Sequence, residues 1–265
     1  MVYIVRADAA VVERVDLRTG RVVASIPVGS NPSRLVFNYS GQRAYVTNQF
    51  SDSISVIDAV TNRRIDEIVV PGGPAAVVVS PDEQALYVTT NADLLYAIQP
   101  ATKRVLRTIR LPAASHHLLL HPSRRLLYVA TRAAGTVIEI ETERCRVRRT
   151  FEVGGQTQAL AVAADSTELY VANEWGRLNV VDLECGEVSA ALQLDGRAFG
   201  LALSPDNAKI YIGLVSEGRV QVVDRRTLRS AGMINTGGVP REIAFDRSEG
   251  ATLIANEAGW VDVVR

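Results

Sequence analysis

Lysine is nearly missing from this chain: Lys103 and Lys209 are the only two among its 29 basic residues, and arginine supplies the rest. Those arginines are scattered and 29 acidic residues balance them, so there is no basic stripe or long-range field to steer the protein to nucleic acid or an anionic membrane. The arginine bias reads as a high-GC genome rather than a phosphate site. Cysteine is as scarce, with Cys145 and Cys185 alone, which excludes a disulfide framework and paired zinc ligands. Long apolar runs are absent because Gly and Pro interrupt every candidate, so no membrane span is expected. The run after Met1 meets Arg6 too soon to be a signal-peptide core. There is no Gly-x-Ser-x-Gly elbow, phosphate loop, His-Glu-x-x-His helix, acidic calcium loop, or haem or quinone ligand pattern. No cofactor is therefore expected.

What the chain has instead is a recurrence. Tyr3-Ile4-Val5, Tyr45-Val46-Thr47-Asn48, Tyr87-Val88-Thr89-Thr90, Tyr128-Val129-Ala130-Thr131, Tyr170-Val171-Ala172-Asn173, Tyr211-Ile212-Gly213 and Leu253-Ile254-Ala255-Asn256 follow one another at steps of 41 or 42 residues. A fixed period of this length marks a repeat architecture whose units bury their apolar faces only against neighbours. The repeat runs from end to end, so residues 1–265 read as one domain.

One repeat, Ser33 to Val70, shows the plan. Arg34 to Phe37 is a short apolar strand, and Asn38 to Gly41 a turn. The same place reads Ser80-Pro81-Asp82 and Ser204-Pro205-Asp206 elsewhere, with Pro pre-setting the turn and Asp able to bond its backbone. The Tyr-Val-Thr-Asn strand follows, then a polar loop, a third strand over Ile54 to Ile57, and a fourth over Arg64 to Val69. Asp16-x-x-Thr19, Asp58-x-x-Thr61 and Asp224-x-x-Thr227 stand after third strands, where the carboxylate caps turn amides. Cys145 and Cys185 fall in this same outer turn of neighbouring repeats, too far apart to bridge, and are expected as free thiols. First strands such as Val77-Val78-Val79 and Leu118-Leu119-Leu120 are apolar at consecutive positions, so both faces are covered.

Four antiparallel strands every ~42 residues, with no 3.6-residue periodicity, predict an all-β fold, a β-propeller of four-stranded blades. The chain opens at a second strand and closes at a third, Trp260 to Val264. Seven blades with incomplete terminal ones is the preferred count, the pattern left when a seven-bladed parent loses two N-terminal strands. Six blades sealed by Val22 to Ile26, with the first ~20 residues displaced, is the alternative.

The Tyr-Val-Thr-Asn signature, the Ser-Pro-Asp turns and the Val-Ile-Asp strand ends together resemble the YVTN-type β-propeller repeats of bacterial and archaeal surface-layer and periplasmic proteins. The resemblance covers essentially the whole chain. It implies a bacterial cell-envelope or extracellular setting. Since related propellers serve as binding surfaces, lactonases and carriers of redox cofactors, it implies no single activity.

In a propeller, the loops leading into first strands and those between second and third strands share one face, around the mouth of a central channel. The aligned lead-in positions read Ser33-Arg34, Ala75-Ala76, His116-His117, Gln158-Ala159, Phe199-Gly200 and Arg241-Glu242. They differ between repeats while their neighbours recur, as positions free to build a site do. Arg34, His116, His117, Gln158, Phe199, Arg241 and Glu242 are the channel-mouth candidates, with His117 a candidate general base. Arg132, Glu174 and Trp175 are loop-face candidates, Trp175 being either an exposed partner anchor or packed between repeats, the place given to Trp260. His116 and His117 point to opposite faces of a strand, and His117 and His121 stand ~13 Å apart along it, so one strand cannot gather them on one ion. No metal site is assigned, and His121, in the turn-serine position, is expected at the surface. The expected function is a non-enzymatic, monomeric interaction module binding an unknown protein or small molecule; the alternative is a lactonase-like hydrolase or lyase at the channel mouth.

Overall fold

A computed structural model describes residues 1–112, 115–121, 125–246 and 250–265, with the backbone alone at His116. The signature Tyr45-Val46-Thr47-Asn48 lies in strand β5 (Arg43–Asn48), buried from Ala44 onward on both faces. Aromatic and β-branched side chains suit such a doubly covered pleated surface. β5 pairs antiparallel with β4 (Pro32–Phe37) on one side and β6 (Ser53–Asp58) on the other, and β6 pairs with β7 (Arg63–Val69). The same meander recurs in strands β8 to β11, β12 to β15, β16 to β19 and β20 to β23. At the ends stand two three-stranded sheets: β1 (Val2–Arg6), β2 (Val11–Asp16) and β3 (Arg21–Pro27), then β24 (Pro240–Asp246), β25 (Ala251–Asn256) and β26 (Trp260–Val264).

These seven sheets are seven blades. Val22 to Ile26 lies within β3 and pairs with β2 in a sheet of its own, so the six-bladed alternative is corrected. The one helical turn among the described residues is a 3₁₀ turn at Gln49–Ser51, and no helix there is long and apolar enough to cross a membrane.

The chain divides into two compact units, Met1–Leu120 with Glu141–Arg146, and His121–Ile140 with Val147–Arg265. In the first, Tyr45, Ile54, Val56 and Ile68 pack against Val77, Val79, Leu86 and Val88 of the following sheet. In the second, Ala159, Tyr170, Leu178 and Val180 do the same against Leu201, Ile210 and Ile212. Burial falls off outward: β7 is exposed at every residue but Ile68. One buried charge in the second unit is fully partnered. Glu139 accepts Arg149 Nε and Nη2 at 3.0 and 3.1 Å and the Tyr128 hydroxyl at 3.0 Å, which offsets the cost of taking it from water.

The turn chemistry is as expected. Asp58 Oδ1 accepts the amides of Val60 and Thr61 at 2.9 and 2.8 Å, Asp182 accepts those of Glu184 and Cys185, and Asp16 and Asp224 accept one amide each, from Arg18 and Thr227. Those backbone bonds hold the Asp16, Asp58 and Asp182 carboxyls below the usual range; at Asp224 the Thr227 hydroxyl leads. Both cysteines are free thiols in such turns.

Two expectations need correcting. His121 is fully buried, its ring 6.1 Å from that of Tyr128. The turn serine it replaces already points inward: Ser80 is buried and its Oγ accepts the Ala85 amide at 2.9 Å. Trp260 is 44% exposed rather than packed between blades, its indole N–H donating to Asp262 at 3.1 Å. It opens β26, which has no strand beyond it in its sheet.

Candidate functional site

The variable lead-in positions have a structural cause. In five blades the first strand opens with a register slip: Thr157 faces Asn173 but Ala159 faces Ala172, leaving Gln158 without a partner residue on the second strand. Ala75, Arg241, Ser33-Arg34 and Phe199-Gly200 sit in the same slip in their blades. A bulge kinks the strand and re-aims the extra side chain, so these residues are released from the alternation that fixes their neighbours.

The last residue of the signature ties the bulge to the facing loop. Asn173, buried at the end of β17 (Glu168–Asn173), accepts the Gln156 and Trp175 amides on Oδ1 at 3.0 Å each and donates Nδ2 to Gly154 O at 2.7 Å. Asn256 repeats this with the Val239 and Ala258 amides and Gly237 O. Glycine is needed opposite: Gly155 has φ +69°, and a Cβ there would stand 2.8 Å from Asn173 Cγ.

On this frame the second unit assembles one charged cluster. Glu174, immediately after Asn173, has a side chain only 1% exposed. Its Oε1 accepts Arg132 Nε at 2.5 Å and the Gln158 amide, and its Oε2 accepts Arg132 Nη2 at 3.0 Å and Arg197 Nη2 at 2.7 Å. Burial pushes the carboxyl up, but the bonds from Arg132, Gln158 and Arg197 outweigh it and hold Glu174 below its ordinary value. Arg132 and Glu174 are 42 residues apart and occupy the same position in successive blades. Trp175 follows at the tip of the same loop, 68% exposed.

The bulge two blades further on in this unit is built alike. Arg241 lies 4.1 Å over the Phe199 ring and donates Nε to Glu257 at 2.8 Å. Gln158–Glu174 and Arg241–Glu257 are the same pair of repeat positions, 16 residues apart in each blade. Glu242 is exposed beside Arg241.

In the first unit, Arg34 and His117 lie near enough to interact. His117 Nδ1 is buried without a hydrogen-bond partner. Burial first, and then the Arg34 charge, pushes its pKa down to about 3, so the imidazole is neutral at physiological pH. The side chain of His116 lies outside the described residues. Among the described residues no three His, Cys, Asp or Glu side chains converge as metal ligands.

The structure thus joins Arg132, Gln158 and Glu174, read separately from sequence, and adds Arg197. That arginine precedes Ala198 and Phe199 in the lead-in to β20 (Ala198–Leu203), and matching Gln156 to it by period is the signal that would have found it. What the cluster offers is a pair of cations preorganised by the residue that precedes an exposed aromatic.

Seven antiparallel meanders, each joined to the next by a lead-in loop, make this chain a seven-bladed β-propeller. Its fold is similar to a chain of Kuenenia stuttgartiensis hydrazine synthase, with a TM-score of 0.90 over 99% of this chain and 91% of that one at 21% identity, a likeness of fold alone. By sequence it is similar to antigen Lp49 of Leptospira interrogans serogroup Icterohaemorrhagiae serovar copenhageni (strain Fiocruz L1-130), 21% identical over 247 residues. That match takes in 84% of this chain and 54% of the relative, so the chain spans about half the relative's length. No family model matches the chain.

Proposed function

We propose that this propeller is a non-enzymatic binding module whose loop face, centred on Arg132, Glu174, Arg197 and Trp175, takes a protein or small ligand. One observation carries the reading: a buried carboxylate, on the residue before a tryptophan that is 68% exposed, holds two arginines in place at positions the repeat leaves free. The fold needs no indole in water there. We further assign the chain to the YVTN-type repeats on its signature, as a single propeller domain of a bacterial cell envelope or exterior. The likeness to a protein named as an antigen supports that setting, and cell fractionation tests it.

The functional test is a thermal-shift screen against sugar acids, lactones, phosphates and divalent metals, on the wild type and on Trp175→Ala and Arg197→Gln. A ligand at ~100 times its dissociation constant adds about 2.7 kcal/mol, and each kcal/mol moves the midpoint of a domain this size by roughly 2–4 °C. A shift lost in both variants supports the loop-face site. A shift that survives both, or turnover of a lactone that Arg34→Ala or His117→Ala abolishes, overturns it in favour of the hydrolase reading.

A further inference from the structure

The Glu174 cluster holds more cation than it neutralises. Arg132 and Arg197 share one carboxylate, and their side chains remain 37% and 58% exposed. Arg132 engages Glu174 through Nε and Nη2 and Arg197 through Nη2, while a guanidinium has five N–H donors, so each has donors to spare. The loop backbone has none. The amides of Glu174, Trp175 and Gly176 are bound to Gln156 O, Asn173 Oδ1 and Asn173 O at 2.9, 3.0 and 3.0 Å. A ligand here is therefore read by side chains, without strand addition or an amide nest, which disfavours an extended peptide held by its main chain. What remains is a flat indole face and fixed guanidinium forks. The ring's negative face attracts the polarised C–H bonds of a sugar ring, and the forks match a carboxylate in two parallel bonds.

Building on the binding-module reading, we propose that Trp175, Arg132 and Arg197 form a subsite for an acidic sugar, a uronate unit of an oligosaccharide. The pyranose ring lies on the indole and its carboxylate meets the guanidinium groups. Glu174 is a positioning residue: it fixes both arginines and leaves a net charge of +1 among these side chains. A neutral sugar lacks the carboxylate, and an acidic peptide lacks the flat C–H face.

The chain has two tryptophans, so Trp260→Phe leaves Trp175 as the sole reporter of its own site. The emission of this variant is titrated with a galacturonate hexamer, with maltohexaose and with a hexaglutamate peptide. The expected result is a saturable change with galacturonate alone, weakened by salt and weakened at least about tenfold by Arg197→Gln. Arg197→Lys, which keeps the charge and loses the fork, serves as a second variant, and the melting temperature of each confirms folding. No saturable change with galacturonate, or binding as tight in both Arg197 variants as in the Trp260→Phe parent, overturns the proposal. If hexaglutamate saturates where galacturonate fails, the sugar assignment falls and the binding face stands; if all three titrations and the thermal-shift screen are flat, the binding reading falls with it.

Discussion

Replacing Asn173 tests whether the signature asparagine locks the loop face. Asn173→Ala removes two amide bonds at 3.0 Å and one to Gly154 O at 2.7 Å, at a side chain that is buried. At about 1 kcal/mol each, the loss is about 3 kcal/mol, or roughly 6–12 °C in melting temperature for a chain of this length. Gly155→Ala attacks the same lock from the other side. Its φ of +69° costs an L-residue about 1 kcal/mol, and the new methyl group displaces an Asn173 side chain that three bonds pin in place. The total cost is then about 3–4 kcal/mol. In the double variant the asparagine is already gone, so the second substitution costs only the left-handed strain. A double-mutant cycle by urea unfolding, followed by far-UV circular dichroism, should give a coupling of about 2–3 kcal/mol between positions 155 and 173. Single effects that add to within about 0.5 kcal/mol would refute the reasoning.

Two further predictions concern ionisation. Arg225 lies 2.8 Å from Asp165 and, with Thr167, holds its pKa at about 2 against an ordinary 3.8. The stabilisation from a depressed carboxyl is whole above its unfolded value and is lost as pH falls through the folded one, here between 3.8 and about 2. Arg225→Gln should bring the Asp165 titration, followed by carbon-detected NMR, back toward 3.8; a midpoint still at about 2 contradicts the assignment. The cysteines should separate by rate: Cys185 is exposed, whereas Cys145 is half-buried, its thiol raised by burial and bonded to Thr142 O at 3.4 Å. Disulfide-exchange labelling at pH 8 should show one fast and one slow thiol, and Cys185→Ser should remove the fast phase.

The fold was legible because it is written seven times. Six of the seven units carry the same tyrosine strand and many carry the same Asp turn, and those residues do the work their chemistry suggests. Asp58 caps Val60 and Thr61, and Ser80 caps Ala85. Structure and expectation part at residues whose inherited repeat position outweighs their type. A turn position suggests the surface for His121, yet the serine it replaces is buried. An indole suggests the interior for Trp260, yet it begins a strand that ends its sheet.

The site was legible only in pieces, for a reason that lies in the repeat itself. Positions such as Gln158 and Arg241 stand out because a bulge exempts them from the ladder, so variation marks where a side chain is free. It does not say what the freed side chain meets. Glu174 is touched from its own blade by Gln158, from the preceding blade by Arg132 and from the following one by Arg197, through steps of 16, 42 and 23 residues. No local window spans those steps. Folding the sequence on its 42-residue period does, since Arg132 and Glu174 then fall in one column and Arg197 two places before Phe199. In a protein of this kind the informative unit is the column of residues at one repeat position across blades. A column that alternates Arg and Glu between neighbours, as 132 and 174 do, is where a preorganised pair should be sought.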